Sequence, residues 1–350
     1  MPNIHKQAPL IALASAALFG LSTPLAKVLL GELSPWTLAS LLYLGSGLGL
    51  GAMVLLRRNR AQSEAPLTLK DVPWLAGTVV FGGVIGPLLL LVGLTRTDAA
   101  SASLLLNLEA VFTLLLAWVM FREHVDKKLF AGALAIVSGA LLLSWQGGVG
   151  SIGSGMIFIS LACLSWAIDN NLTRKISAVD PFVLASIKGL VAGSVNAALA
   201  YAMGATLPGW PGIGSAMLLG FVSYGLGLVL FIVALRHLGT ARTGAYYGTA
   251  PFIGALAATV ILATPLTPIL MLSGLLMAFG AWLHLSELHG HDHTHDSDDH
   301  AHRHSHDEHH QHAHDPGVIV SEPHSHAHRH QALTHAHPHW PDLHHRHRHS

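Results

Sequence analysis

The chain has 350 residues, of which 51% are hydrophobic and only 11% carry a formal charge. Soluble domains carry roughly 25% charged residues, so a soluble globular fold is excluded. The formal net charge is zero, and the single cysteine, Cys163, rules out an intrachain disulfide.

Taken in order, the apolar runs predict an all-α membrane protein with ten transmembrane helices, each near the roughly 20 residues that a bilayer requires. The first run follows Lys6 and spans 9–30, too long for the 7–15-residue core of a cleaved signal peptide, so it is read as retained. The next four lie near 35–56, 73–95, 98–121 and 128–146. The last five lie near 153–174, 181–203, 214–236, 240–263 and 267–287. Short connections such as Ser34-Pro35, Gly147-Gly148, Asp180-Pro181 and Thr264-Pro265 separate them. Alternate loops hold twelve Lys and Arg residues, among them Arg57, Arg58, Lys70, Lys127 and Arg236, against Arg96 alone in the others. That asymmetry predicts cytoplasmic N- and C-termini in an inner, cytoplasmic membrane.

The sequence repeats itself. Leu18–Ser40 aligns with Leu164–Ser186 at an offset of 146, and Gly93–Ala140 with Ala234–Ala281 at an offset of 141. Residues 1–8 precede a first five-helix unit at 9–146, and a second follows at 153–287. An odd number of crossings inverts the second unit. Inverted repeats are the architecture of secondary transporters, with the substrate site between the halves near mid-membrane.

The stretch Asp98–Glu123, with Asn107, Glu109, Trp118 and Arg122, resembles the EamA family of the drug/metabolite transporter superfamily. Gly132 to Ala140 is similar to that family's following helix, and Ala250-Pro251-Phe252 fits its usual proline in the second half. The resemblance covers about residues 9–287 and implies ten helices in two repeats and movement of a small solute. The chain departs from it at Glu109-Ala110, where a proline is common, and at Thr264-Pro265, which stands where the first repeat has Glu123-His124.

Charges deep in a bilayer cost about 2.5–3.5 kcal/mol each on insertion scales, so they are usually functional or paired. Glu109, Asp169 and Lys188 are predicted to line a central cavity, with Asn107, Asn170, Trp166 and Tyr246 beside the path. Four-residue steps give three stripes: Ser101-Leu105-Glu109, Ser165-Asp169-Thr173 and Lys188-Ala192-Asn196. The competing reading of Lys188 and Asp169 is a structural ion pair. Lys27 is expected to snorkel to the interface, and Trp36, Trp74, Trp118, Trp145 and Trp282 to anchor helix ends there. Gly47-x-x-x-Gly51 and Gly189-x-x-x-Gly193 predict close helix contacts, and Pro24, Pro87 and Pro251 are expected to disturb their helices. No phosphate loop or zinc-protease motif occurs, so no enzymatic activity is expected and transport would need a gradient.

From His289 to Ser350 there are 62 residues and 23 histidines, too little apolar content for a packed core, so a disordered cytoplasmic tail is expected. Histidine alternates in four runs: His291, His293, His295; His300, His302, His304, His306; His324, His326, His328, His330; and His335, His337, His339. Neutral imidazoles suit Zn, Ni, Co or Cu, and Asp292, Asp296 and Asp298 add oxygen ligands. The alternative is a polycation that responds to pH, since histidine titrates between about pH 5 and 8. The expected partners are a small-molecule solute, transition-metal ions and the lipid bilayer. A homodimer remains open, and no nucleic acid is expected.

Overall fold

The structure, a computed structural model, describes residues 4–57, 67–121, 127–145, 153–173, 176, 179–285, 289–295, 299–304, 324–329 and 333–339. The first half holds α1 (Ile4–Leu29) and α2 (Pro35–Arg57), then α3 (Val72–Thr78), a π-helical segment π1 (Val79–Ile85) and α4 (Gly86–Thr95) in one continuous rod. It ends with α5 (Ala99–Leu105), α6 (Leu108–Phe121) and α7 (Lys127–Ser144). The second half holds α8 (Ser154–Thr173), α9 (Pro181–Ala202), the rod α10 (Trp210–Leu219), π2 (Gly220–Leu226) and α11 (Gly227–Tyr247), then α12 (Ala250–Ile261) and α13 (Pro268–Leu285). Among the described residues, eight spans are long and apolar enough to cross a membrane, and Ala250–Ile261 and Pro268–His284 are shorter apolar helices.

One expected loop is helix instead. Residues 237–239 were to separate the eighth and ninth spans, yet α11 continues through them to Tyr247. The equivalent point of the first half has Asp98, whose carboxylate accepts from Ser101 N at 2.8 Å and starts α5 afresh. The second half has Gly239 there, with no side chain to cap a new helix. The run breaks later, at Gly248-Thr249, as the first half breaks at Leu106-Asn107.

The two halves pack reciprocally. π1 lies on α8 and α9, and π2 lies on α1 and α2. Where α2 meets α9, Ser40 Oγ donates to Gly193 O at 3.0 Å and Ser186 Oγ donates to Gly47 O at 3.0 Å. These are equivalent residues exchanging equivalent bonds, and their order makes the two helices antiparallel. A Cβ on Gly189 would lie 2.7 Å from Gly47 Cα, so the expected glycine contact is a backbone-to-backbone approach. α7 and α13 are also antiparallel: a Cβ on Gly139 would meet Ser273 O at 2.9 Å, and one on Gly280 would meet Gly132 O at 2.6 Å.

Four short strand segments are described in the tail. His289–His295 (β1) pairs antiparallel with Leu333–His339 (β4), and Asp299–His304 (β2) with His324–Arg329 (β3). The alternation of histidine with another residue has the period of two that a strand uses. The side chains of the predicted metal-binding histidines, and His306 and His330 altogether, lie outside the described residues.

Candidate functional site

The site grows from a backbone irregularity. Gly86 N–H donates to Phe81 O, five residues back, in place of Gly82 O, four back. The next residue, Pro87, has no N–H to give. Gly82 O is thereby left without a helical donor deep in an apolar span, where an unsatisfied carbonyl is costly. Side chains from other helices supply the bonds. Tyr43 Oη of α2 donates to Gly82 O at 2.6 Å, and Trp166 Nε1 of α8 donates to the same oxygen at 3.3 Å. Ser165 Oγ donates to Phe81 O at 2.8 Å, and Asn196 Nδ2 of α9 donates to Gly83 O at 3.0 Å. Pro87 therefore leaves its helix unbroken, in the first turn of α4. Pro251 sits in the first turn of α12, where a missing N–H costs nothing.

The charges gather on the same segment. Lys188 Nζ lies 2.5 Å from Asp169 Oδ2, and Thr173 Oγ1 donates to Asp169 Oδ1 at 3.2 Å. The pair rests on Gly82: a Cβ there would lie 2.0 Å from Asp169 Oδ2 and 2.6 Å from Lys188 Nζ. Only glycine leaves room for both groups. Two of the predicted stripes, Ser165-Asp169-Thr173 and Lys188-Ala192-Asn196, thus face π1 from opposite sides. The ion pair weighed as the alternative for Asp169 and Lys188 is present. Its side chains keep 10% and 20% exposure, so it is not sealed off.

Glu109 stands in the first turn of α6, directly after the break between α5 and α6. Asn107 Nδ2 donates to Leu104 O at 2.8 Å and closes that break. Glu109 Oε1 accepts from Asn170 Nδ2 at 2.8 Å and lies within electrostatic reach of Asp169 and Lys188. Glu109, Asn170, Asp169, Lys188 and Trp166 are therefore brought together around π1. Asn107 acts on its own backbone. Tyr246 is half-buried and its carbonyl accepts from Thr249 Oγ1 at 2.6 Å.

Sequence reasoning passed over an aromatic chain. Tyr43 and Tyr224 have ring centroids 5.7 Å apart, Tyr224 and Phe19 6.0 Å, Phe19 and Tyr247 5.5 Å, and Tyr247 and Phe231 4.7 Å. Tyr247 lies within electrostatic reach of Glu109, and Tyr43 within that of Asp169. The rings come from α1, α2, π2 and α11, four separate elements, and no local spacing joins them. The Lys27 ammonium donates to Leu94 O and Thr97 O at the C-terminal end of α4, where cations are favoured. Trp74, Trp118, Trp145 and Trp282 are exposed at helix ends, whereas Trp166 is buried.

Apolar helices in two reciprocally packed halves, with charges gathered among them, are those of a multi-pass membrane protein. The chain belongs to the EamA-like transporter family, whose pattern it matches twice, over residues 6–145 and 153–286. It is 30% identical over 289 residues, 76% of this chain and 82% of the other, to an uncharacterized transporter of Methanothermobacter thermautotrophicus. It is 38% identical over 71 residues to the "Probable 4-amino-4-deoxy-L-arabinose-phosphoundecaprenol flippase subunit ArnE" of Pseudomonas fluorescens, covering 20% of this chain and 60% of that one. A crystal structure with 20% sequence identity superposes with a TM-score of 0.60, covering 79% of this chain and 95% of its own, and shows the fold alone.

Proposed function

We propose that this protein is a secondary transporter of the cytoplasmic (inner) membrane, working as an exporter of a small metabolite or metal-related solute. Its ten apolar segments form two inverted five-helix repeats with both termini cytoplasmic. The solute passes Glu109, Asn170, Asp169, Lys188 and Trp166 between the halves, with Asn107 and Tyr246 at the helix breaks. The observation that carries this reading is the Lys188–Asp169 pair, 2.5 Å apart on the π1 backbone and beside Glu109. Three ionisable groups within apolar spans are expensive unless they serve a path. The antiparallel contact of α2 with α9 supports the inverted repeat, because those helices are equivalent by the offset of 146.

The tail, in the same reading, binds divalent Zn, Ni, Co or Cu through its alternating histidines and delivers the ion or gates transport. The alternatives are a generic amino-acid or metabolite exporter whose tail only buffers metal, and a non-transporting membrane metal sensor, which would show no flux in either form. Transport in proteoliposomes separates these, comparing the full chain with a version lacking residues 289–350. Zn, Ni and Co uptake would be followed beside labelled amino acids. Metal flux that truncation abolishes supports a delivering tail, and metabolite flux indifferent to truncation supports the buffer. Wild-type flux by a well-expressed Glu109→Gln protein would remove Glu109 from the path.

A further inference from the structure

We propose that the solute bound between the halves is an organic monocation, an amine or ammonium on a small apolar body. The inference rests on the reading of this cluster as the solute path and names the chemistry it selects. Two carboxylates and one ammonium meet there. Asp169 is compensated by Lys188 at 2.5 Å, whereas the partner that bonds Glu109 among the described residues is the neutral amide of Asn170 at 2.8 Å. Among the described residues of the cluster, the one charge left over is a single negative one. A zwitterion would need an anion-binding group, and Lys188 is already engaged. A carboxylate ligand would have to break that pair.

Aromatic rings adjoin the cluster. Tyr43, Tyr224, Phe19 and Tyr247 form a chain from the neighbourhood of Asp169 to that of Glu109, with interplanar angles of 42°, 69° and 37° between successive rings. Tilted rings do not cover each other's faces as a parallel stack would. Phe19, Tyr224 and Tyr247 are each only part-buried. Ring faces attract a cation within about 6 Å of the centroid. Aromatic rings beside a carboxylate that no cation bonds among the described residues suit a weakly hydrated organic cation. It does not suit a bare transition metal: among the described residues no group of three or more His, Cys, Asp or Glu side chains could hold one.

The test uses the full chain in lipid nanodiscs and a matched set of ligands. Pentylammonium, norleucine and hexanoate share one apolar chain and differ in bearing an amine, both groups or a carboxylate; Zn2+ completes the set. Equilibrium binding should favour pentylammonium over norleucine and hexanoate by on the order of tenfold. Glu109→Gln should weaken it by a similar factor. Tyr247→Leu should weaken it several-fold, while Tyr247→Phe, which keeps the ring, stays close to wild type. Norleucine, hexanoate or Zn2+ binding as tightly as pentylammonium overturns the assignment, as does no pentylammonium binding to protein that elutes as a single folded species. Flux distinguishes this failure from that of the parent reading. If norleucine is carried and needs Glu109, the path stands and the monocation falls. If Glu109→Gln carries every solute at the wild-type rate, both fall.

Discussion

The two π-helical segments stand 141 residues apart, at Val79–Ile85 and Gly220–Leu226, and each redirects the N–H of the following glycine five residues back. They begin as copies and end as different machines. After π1 comes Pro87; its counterpart after π2 is Leu228, which has an N–H to give. Around π1 stand Gly82, Asp169 and Lys188, and their counterparts around π2 are Ser223, Thr23 and Leu42. One proline and two charges mark out the repeat whose carbonyl, Gly82 O, recruits side chains from two other helices, Tyr43 of α2 and Trp166 of α8. Repeated architecture supplies the geometry twice, and the side chains make a site of it once.

The sharpest way to break this comparison is to add one methyl group to each segment. At Gly220 the new Cβ would lie 2.0 Å from Leu42 O, a backbone atom that cannot move without its helix. Overpacking costs typically about 1–3 kcal/mol and occasionally more, and Gly220→Ala should lose most of its folded protein. At Gly82 the nearest atoms are the ends of the Asp169 and Lys188 side chains. Gly82→Ala should therefore fold but disperse the pair, and its flux should fall by on the order of tenfold. Size-exclusion yield and proteoliposome flux, measured on both variants, check this. If both variants lose yield alike, π1 is scaffold as well.

The next largest effect concerns the pair itself. Asp169→Asn leaves Lys188 without its counter-charge, which costs about 3 kcal/mol for a buried pair. Thr23→Val, the corresponding change beside π2, should stay under about 1.5 kcal/mol because it removes a hydroxyl and no charge. The double variant Asp169→Asn with Lys188→Met should recover most of the stability and none of the flux. Reversible unfolding in mixed micelles reads the first quantity. Recovery of both stability and flux would make the pair a staple without a transport role.

Much of this frame was legible in the sequence because membrane folding is governed by length and polarity. Spans, repeats and the three ionisable residues all follow from where apolar runs start, stop and are interrupted. The stripes through Asp169 and Lys188 were readable because helical spacing is a local property. The π segments were not. They are set by which carbonyl an N–H chooses, and the Gly82-Gly83 and Gly86-Pro87 pairs that permit the choice look like ordinary loose packing in a string of letters. The continuation of α11 past residue 239 was hidden for a related reason: the deciding feature was the absence of a cap that the first half has at Asp98. The aromatic chain joins α1 and α2 to the π2–α11 rod, far from them in sequence, and only the packing of the halves aligns it. The carbonyls that Lys27 meets, Leu94 in α4 and Thr97 just past its end, were hidden because they lie far from it in sequence.

The smallest predicted effect tests why π1 gathers partners at all. If Pro87 orphans Gly82 O, then the Tyr43 hydroxyl matters because the proline is there. Tyr43→Phe should cost about 1 kcal/mol, within the range of single hydrogen bonds between membrane helices. Pro87→Ala restores an N–H five residues after Gly82, so the carbonyl can find a donor in its own helix. In that background Tyr43→Phe should cost less, with a coupling of about 0.5 kcal/mol or more in a double-mutant cycle. The cycle needs all four proteins unfolding reversibly under one condition. Strict additivity would mean that the tyrosine packs on π1 without answering the proline, and the contrast with Leu228 would lose its cause. A positive coupling would tie a single residue difference between the repeats to the bond that draws α2 toward the charged pair.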